Sequence, residues 1–158
     1  MILYHGSNTS FDQIDLTKSL PNKDFGKGFY LSDNYEQAEE MAKFKVVISG
    51  GNVIVQSYHT EDSILNDDSL KIKIFKEYTK EWAEFILANR NNHSDMPIHD
   101  YDIVYGPIAN DKVGIQIRKY KDGSINFEEF LHRLQYMKGI TFQYFFGTEK
   151  AIKKLRKL

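Results

Sequence analysis

Three groups of residues have the types and spacing to do chemistry. The first is Asp122-Gly123-Ser124-Ile125 followed by Glu129, which matches the second half of a calcium-binding loop. That loop also needs oxygen ligands at its first and third positions, and here those places hold Arg118 and Tyr120. A cation beside the ion would repel it, so the stretch reads as a turn and a helix cap. The second group is the histidines. His93 and His99 flank Asp95 and Asp100, but in a polar run rich in Asn and Asp that reads as a solvated loop. His59 and His132 have no obvious partner, and no metal site is expected. The third group is two short segments. Tyr4-His5-Gly6-Ser7 sets a histidine at a strand end, ahead of a glycine and a hydroxyl. Phe25-Gly26-Lys27-Gly28-Phe29-Tyr30-Leu31-Ser32 sets an aromatic pair directly after a turn freed by two glycines. Taken singly, His5 reads as a satisfied core histidine and Tyr30 as a packing residue. The chain has no Gly-x-Ser-x-Gly elbow, no P-loop and no Gly-x-Gly-x-x-Gly strand-helix unit.

The elements that must position these residues follow from periodicity and caps. Ile2 to His5 is a short strand, and a polar loop leads to a second strand at Phe29-Tyr30-Leu31. Asp33 with Glu36 forms a capping box for a helix on Tyr35, Ala38, Met41 and Ala42, running to about Lys45. A Ser49-Gly50-Gly51-Asn52 turn leads to a strand over Val53 to Tyr58. Another strand covers Ile72 to Phe75, and a helix carries Tyr78, Trp82, Phe85 and Ile86 to Arg90. Ile103-Val104-Tyr105 is a strand stopped by Gly106-Pro107. Gly114 to Lys119 alternates as a strand. Asn126 and Glu129 box a helix on Phe127, Phe130, Leu131 and Leu134. Thr141 to Phe146 is a strand, and Thr148 caps a last helix on Ala151, Ile152 and Leu155. Short strands without regular β-α alternation predict an α+β fold and exclude a doubly wound parallel sheet.

The 158 residues carry no repeat and no linker, as expected of one domain spanning 1–158. Hydrophobic residues make up 41% and charged residues 27%, an ordinary soluble composition. With no cysteine, disulfides and thiolate metal sites are excluded. A net charge of -1 argues against nucleic-acid binding by bulk electrostatics. The basic tail Lys150, Lys153, Lys154, Arg156 and Lys157 fits the negative end of the last helix, or contact with an acidic partner. No run is long and apolar enough for a membrane span, and Met1 to Gly6 lacks signal-peptide character. A cytoplasmic location is expected.

In combination, Tyr4-His5-Gly6-Ser7 followed by Gly26-x-Gly28-Phe29-Tyr30-Leu31 resembles the ADP-ribosyltransferases of the diphtheria-toxin and poly(ADP-ribose) polymerase type. The likeness is closer to a small bacterial branch described as a domain of unknown function, and it runs nearly end to end. It is carried by Lys23 to Tyr30, by Glu81-Trp82 with Asn89-Arg90, and by Asp102 to Pro107 with Asn110-Asp111. Gln143-Tyr144-Phe145-Phe146 leading into Thr148-Glu149-Lys150-Ala151 completes it. The resemblance implies a split, antiparallel-rich sheet core with flanking helices, holding NAD as co-substrate in a bent form across a cleft. It implies that His5 bonds the adenosine ribose, that the backbone of Gly6 holds the nicotinamide carboxamide, and that Tyr30 stacks on the nicotinamide ring. The resemblance also implies that Ser7 and Phe29 complete the cofactor pocket. The third catalytic position, after His5 and Tyr30, falls on Gln143, where the superfamily usually has Glu.

Cleavage of the nicotinamide–ribose bond develops positive charge on the sugar, which a fixed anion would stabilise. Glutamine is neutral but can still accept from a ribose hydroxyl and orient the sugar. Chain elongation is therefore disfavoured, and single transfer or slow hydrolysis of NAD is favoured. Glu149, Asp102 and Asp111 read as solvated or capping acids, not as a replacement base. The expectation is a mono-ADP-ribosyltransferase acting on an intracellular macromolecule, with protein slightly favoured over nucleic acid. By analogy with small transferases of the superfamily, it would be a bacterial toxin with a neutralising partner such as an antitoxin. The alternatives are a catalytically silent module that binds NAD, ADP-ribose or a protein, and an NAD glycohydrolase.

Overall fold

The computed structural model describes residues 1–135 and 139–158, with the side chains of Asp111 and Gln135 also outside the description. The fold is α+β, with two antiparallel-rich sheets flanked by helices. In the first sheet, β3 (Ile54–His59) lies between β1 (Ile2–Ser7) and β7 (Arg156–Lys157). The second sheet runs in the order β2 (Phe29–Leu31), β6 (Phe142–Phe146), β5 (Ile103–Pro107) and β4 (Ile72–Ile74). Pairing is parallel between β4 and β5 and antiparallel elsewhere.

Among the described residues, one backbone bridge links the sheets. Tyr4 and Ser32 exchange both backbone bonds, at 2.7 Å and 2.9 Å, and β1 and β2 then part. Strand alternation sends neighbouring side chains to opposite faces, and each face has its own core. Leu3 and Tyr58 of the first sheet meet Phe29, Leu31, Ile103, Tyr144 and Phe146 of the second. On the other face, Val104 and Phe145 pack on α2 (Lys80–Arg90), α3 (Asp111–Lys121) and α4 (Phe127–Gln135) through Trp82, Ile86, Val113, Ile117, Phe130 and Leu134. Trp82 is fully buried, and its indole N–H donates to Pro107 O at 3.1 Å, so its burial leaves no donor unpaired.

The helix α1 (Tyr35–Ser49) lies on β1. Ala38 and Ala42 are its buried residues, and small side chains there let the helix sit close to Gly6.

Several sequence expectations change in detail. Asn34, not Asp33, caps α1 by accepting from Gln37 N at 3.1 Å, and the helix runs on past Lys45 to Ser49. Ile103–Pro107 continues as a strand through Gly106 and Pro107. Gly114 to Lys119 is not a strand but part of α3. Asn110 caps that helix through a 3.0 Å bond from Val113 N, and Val113 and Ile117 are buried one turn apart while Ile115 is exposed. The final helix α5 (Glu149–Ile152) is a single turn, capped by Thr148 as expected, and the chain then enters β7. Of the basic tail, Lys150 lies in the last turn of α5 and Lys153 is its C-cap, as expected, while Lys154, Arg156 and Lys157 lie beyond the helix. Lys154 pairs with Asp67 at 2.7 Å and Lys157 with Asp12 at 3.6 Å. No helix of the described residues is long and apolar enough to cross a membrane.

Candidate functional site

The candidate site is built where β1 and β2 part. In an antiparallel strand, residues two apart direct their backbone groups to the same side. Tyr4 and Ser32 face each other, so the backbone groups of Gly6 and Tyr30 also point into the gap that opens beyond them. Neither carbonyl finds the opposite strand. Gly6 O instead accepts from Lys45 Nζ at 2.7 Å, and Tyr30 O accepts from His5 Nδ1 at 2.7 Å.

That bond fixes the state of His5. A carbonyl only accepts, so Nδ1 carries the proton and Nε2 is left as the ring's acceptor. The imidazole stacks on Phe29 with ring centroids 4.1 Å apart. Burial first, and then the Lys45 ammonium, lower its pKa to about 3 despite the bond to Tyr30. The ring is neutral throughout the physiological range.

Tyr30 is held at both ends. Its hydroxyl accepts from Phe25 N at 2.9 Å and donates to Gly26 O at 2.7 Å, closing the glycine turn onto the ring. Its ring meets the edge of Phe145 at 5.3 Å. Burial, with the Asp24 charge second, holds the phenol well above its ordinary pKa, so it stays protonated. Asp24 itself is tied to α2 by a 2.7 Å bond from Arg90 Nε, which anchors the start of the turn. This link gives Asp24 and Arg90 a structural role.

Gly6 is a packing requirement as well as a site residue. A Cβ there would lie 1.8 Å from Ala38 O in α1. Ser7 is buried, and its Oγ accepts from Thr9 N at 3.3 Å.

Gln143 stands opposite Gly106 on β6, two residues before Phe145, which pairs with Tyr30. Its side chain therefore shares a face with Tyr30 and Phe145. Its Nε2 is buried and has no hydrogen-bond partner among the described residues. Buried donors are rarely left unpaired, and a flip of the amide would only orphan the carbonyl instead.

Of the acids weighed as replacements, Asp102 and Glu149 have other surroundings. Asp102 is buried, accepting from Lys71 N at 2.8 Å and Thr148 Oγ1 at 2.6 Å, which clips the start of β4 to the α5 cap. Glu149 is exposed in the first turn of α5, and the Asp111 side chain lies outside the described residues.

Sequence reasoning missed Lys23 and Lys45. Lys45 carried a signal, because it falls one turn beyond Ala42 on the face of α1 that meets β1, where an apolar residue is the norm. Lys23 opens the segment shared with the family, but no sequence pattern assigns it a role: the fold brings its Nζ to 5.5 Å from the Tyr30 ring centre.

A cavity of about 370 Å³ opens beside the glycine turn, lined by Gly26, Asn89, His99, Tyr101, Phe145 and Thr148 among others. His5, Gly6, Tyr30 and Gln143 are not in its wall. Both His99 nitrogens are engaged there, Nε2 with Phe25 O at 2.7 Å and Nδ1 with Tyr101 N at 3.1 Å.

A family model described as a protein of unknown function, DUF3990, matches residues 1–157. A comparison with curated proteins finds no match.

Proposed function

We propose that this chain, which belongs to the DUF3990 family, is an NAD-dependent mono-ADP-ribosyltransferase with its nicotinamide site at the parting of β1 and β2. One observation carries the reading. His5, Gly6 and Tyr30 converge on one gap, and Gln143 brings a buried amide with an unused Nε2 to the Tyr30 face.

In this reading Nε2 of His5 accepts a hydroxyl of the adenosine ribose. The Gly6 backbone takes the carboxamide, Tyr30 gives the ring a stacking face, and Phe29 and Ser7 support them. Gln143 bonds and orients the nicotinamide ribose. The C1–N bond to nicotinamide breaks, and nicotinamide leaves with the electron pair. The sugar cation is then attacked by an acceptor oxygen or nitrogen, which loses its proton to solvent. With no fixed anion at Gln143, orientation supplies more of the rate than charge stabilisation. The net charge of -1 favours a protein over a nucleic acid as acceptor. By analogy with small transferases of this kind, the protein would act as a toxin neutralised by an antitoxin.

The neutral side chain of Gln143 favours a second reading, a silent module that binds NAD or ADP-ribose without turnover. A third reading makes water the acceptor. Nicotinamide release from NAD by purified protein, with and without cell lysate, separates all three. Release with label on a lysate component supports the transferase, and release without label the glycohydrolase. Binding without release leaves the silent module.

A further inference from the structure

The groups that this reading assigns to nicotinamide are both covered by ammonium groups. Lys45 Nζ holds Gly6 O at 2.7 Å, and Lys23 Nζ lies 5.5 Å from the centre of the Tyr30 ring. His5, which bonds Tyr30 O at the gap, feels the charge of both Lys45 and Lys23, so the two cations flank the same opening. Both side chains are half-buried. Among the described residues neither forms an ion pair: Lys45 has a neutral carbonyl and Lys23 an aromatic face. The nearest acid in sequence, Asp24, is spent on Arg90 at 2.7 Å. On α1, Glu39 is spent on Lys43 at 2.8 Å.

Two partly desolvated cations without a counterion are costly to hold near each other. Burial followed by repulsion from Lys23 lowers the Lys45 pKa to about 8, and burial lowers that of Lys23. His5, the third basic group at the gap, is neutral and adds no further positive charge.

We infer that Lys23 and Lys45 form a binding site for a diphosphate-class anion at the parting of β1 and β2. Both ammonium groups are on flexible stems and can swing from Gly6 O and the Tyr30 ring onto phosphate oxygens, as point charges suited to phosphate. Their departure would free Gly6 and Tyr30 for a planar carboxamide ligand, so anion and ring would be accepted together. Where the diphosphate is that of NAD, the inference rests on the function proposed above. A free diphosphate or a nucleoside diphosphate offers the same chemistry.

The test uses inorganic pyrophosphate, which contains no nicotinamide, in calorimetric titrations of the whole protein. Wild type is expected to bind it with an affinity that falls as salt rises. Lys45→Met and Lys23→Gln should each weaken binding about 10-fold or more, the effect of losing one charged hydrogen bond. Lys43→Gln, the same charge change on the exposed side of α1, should stay within about twofold if long-range charge is screened. Lys23→Gln serves where Lys45→Met fails to fold. ADP-ribose binding far more tightly than pyrophosphate would point to a dinucleotide source, and equal binding to a free diphosphate. No binding of pyrophosphate by wild type, or equal losses in Lys43→Gln and Lys45→Met, would overturn the inference. Pyrophosphate binding without nicotinamide release would leave the anion site standing and remove the transferase. Nicotinamide release with no pyrophosphate binding would do the reverse.

Discussion

His5 and Tyr30 are joined across the strand parting by a 2.7 Å bond from an imidazole nitrogen to a backbone carbonyl. The side chain takes a carbonyl that a continued ladder would have given to the opposite strand. Local separation of the strands thus leaves no orphaned acceptor at Tyr30.

The burial of His5, with the Lys45 charge beside it, gives the protein an acid limit. His5 is held at about 3 in the fold against an ordinary 6.5, so it is lowered and neutral when folded. Below pH 6.5 the unfolded chain takes up a proton that the folded chain refuses. Stability from this group is present above that pH and is lost as pH falls toward 3, by an amount on the order of a few kcal/mol. Urea unfolding at pH 7 and pH 4 should show a larger acid loss in wild type than in His5→Asn. Equal losses would mean that His5 titrates normally.

Tyr30 has two separable jobs. Its hydroxyl holds Phe25 N and Gly26 O, and its ring is the proposed stacking surface. Tyr30→Phe should cost roughly 1–3 kcal/mol by leaving both backbone groups without that partner, yet keep nicotinamide release within a few-fold. Tyr30→Ala should abolish release. Denaturant titration beside a release assay checks both, and equal loss of activity in the two variants would assign the chemistry to the hydroxyl instead.

The order of elements was legible because caps and periodicity agree locally. Asn126 does cap α4, accepting from Glu129 N at 2.8 Å, and Thr148 caps α5. At α3 two periodicities competed. Ile115 and Ile117 alternate like a strand, while Val113 and Ile117 repeat like a helix, and packing on α4 decides for the helix. The strand β7 had no apolar signal at all, since Arg156 and Lys157 are exposed and held by pairing with His59 and Tyr58. At the candidate site, His5, Gly6 and Tyr30 could be read from motifs close to one another in the chain. Lys23 and Lys45 could not be linked to them, because only the packing of α1 on β1 and the turn before β2 carries them to the gap.

Gly6 tests that packing directly. With Ala38 O 1.8 Å from where a Cβ would stand, Gly6→Ala must push α1 away from β1. Overpacking against backbone should cost about 3 kcal/mol or prevent folding. Soluble yield and thermal unfolding report this, and a variant of wild-type stability would contradict the contact. The substitution is therefore unsuitable as a probe of binding alone.

Gln143 offers the sharpest separation of stability from function. Its buried Nε2 has no partner among the described residues, a situation that costs about 1–3 kcal/mol relative to a paired or apolar group. Gln143→Leu keeps much of the volume and removes the orphaned donor, so thermal stability should rise by about 1 kcal/mol while nicotinamide release falls. A residue retained only for packing would not show this opposition. Gln143→Glu should move activity the other way. A carboxylate there would stabilise the sugar cation and could raise release by about 10-fold to 100-fold, toward the range seen when one electrostatic contact is changed in a preorganised site. The buried charge should lower stability at neutral pH and relax as the carboxyl is protonated. If Gln143→Leu is less stable and equally active, the amide is serving the fold, and Gln143 has no part in nicotinamide release.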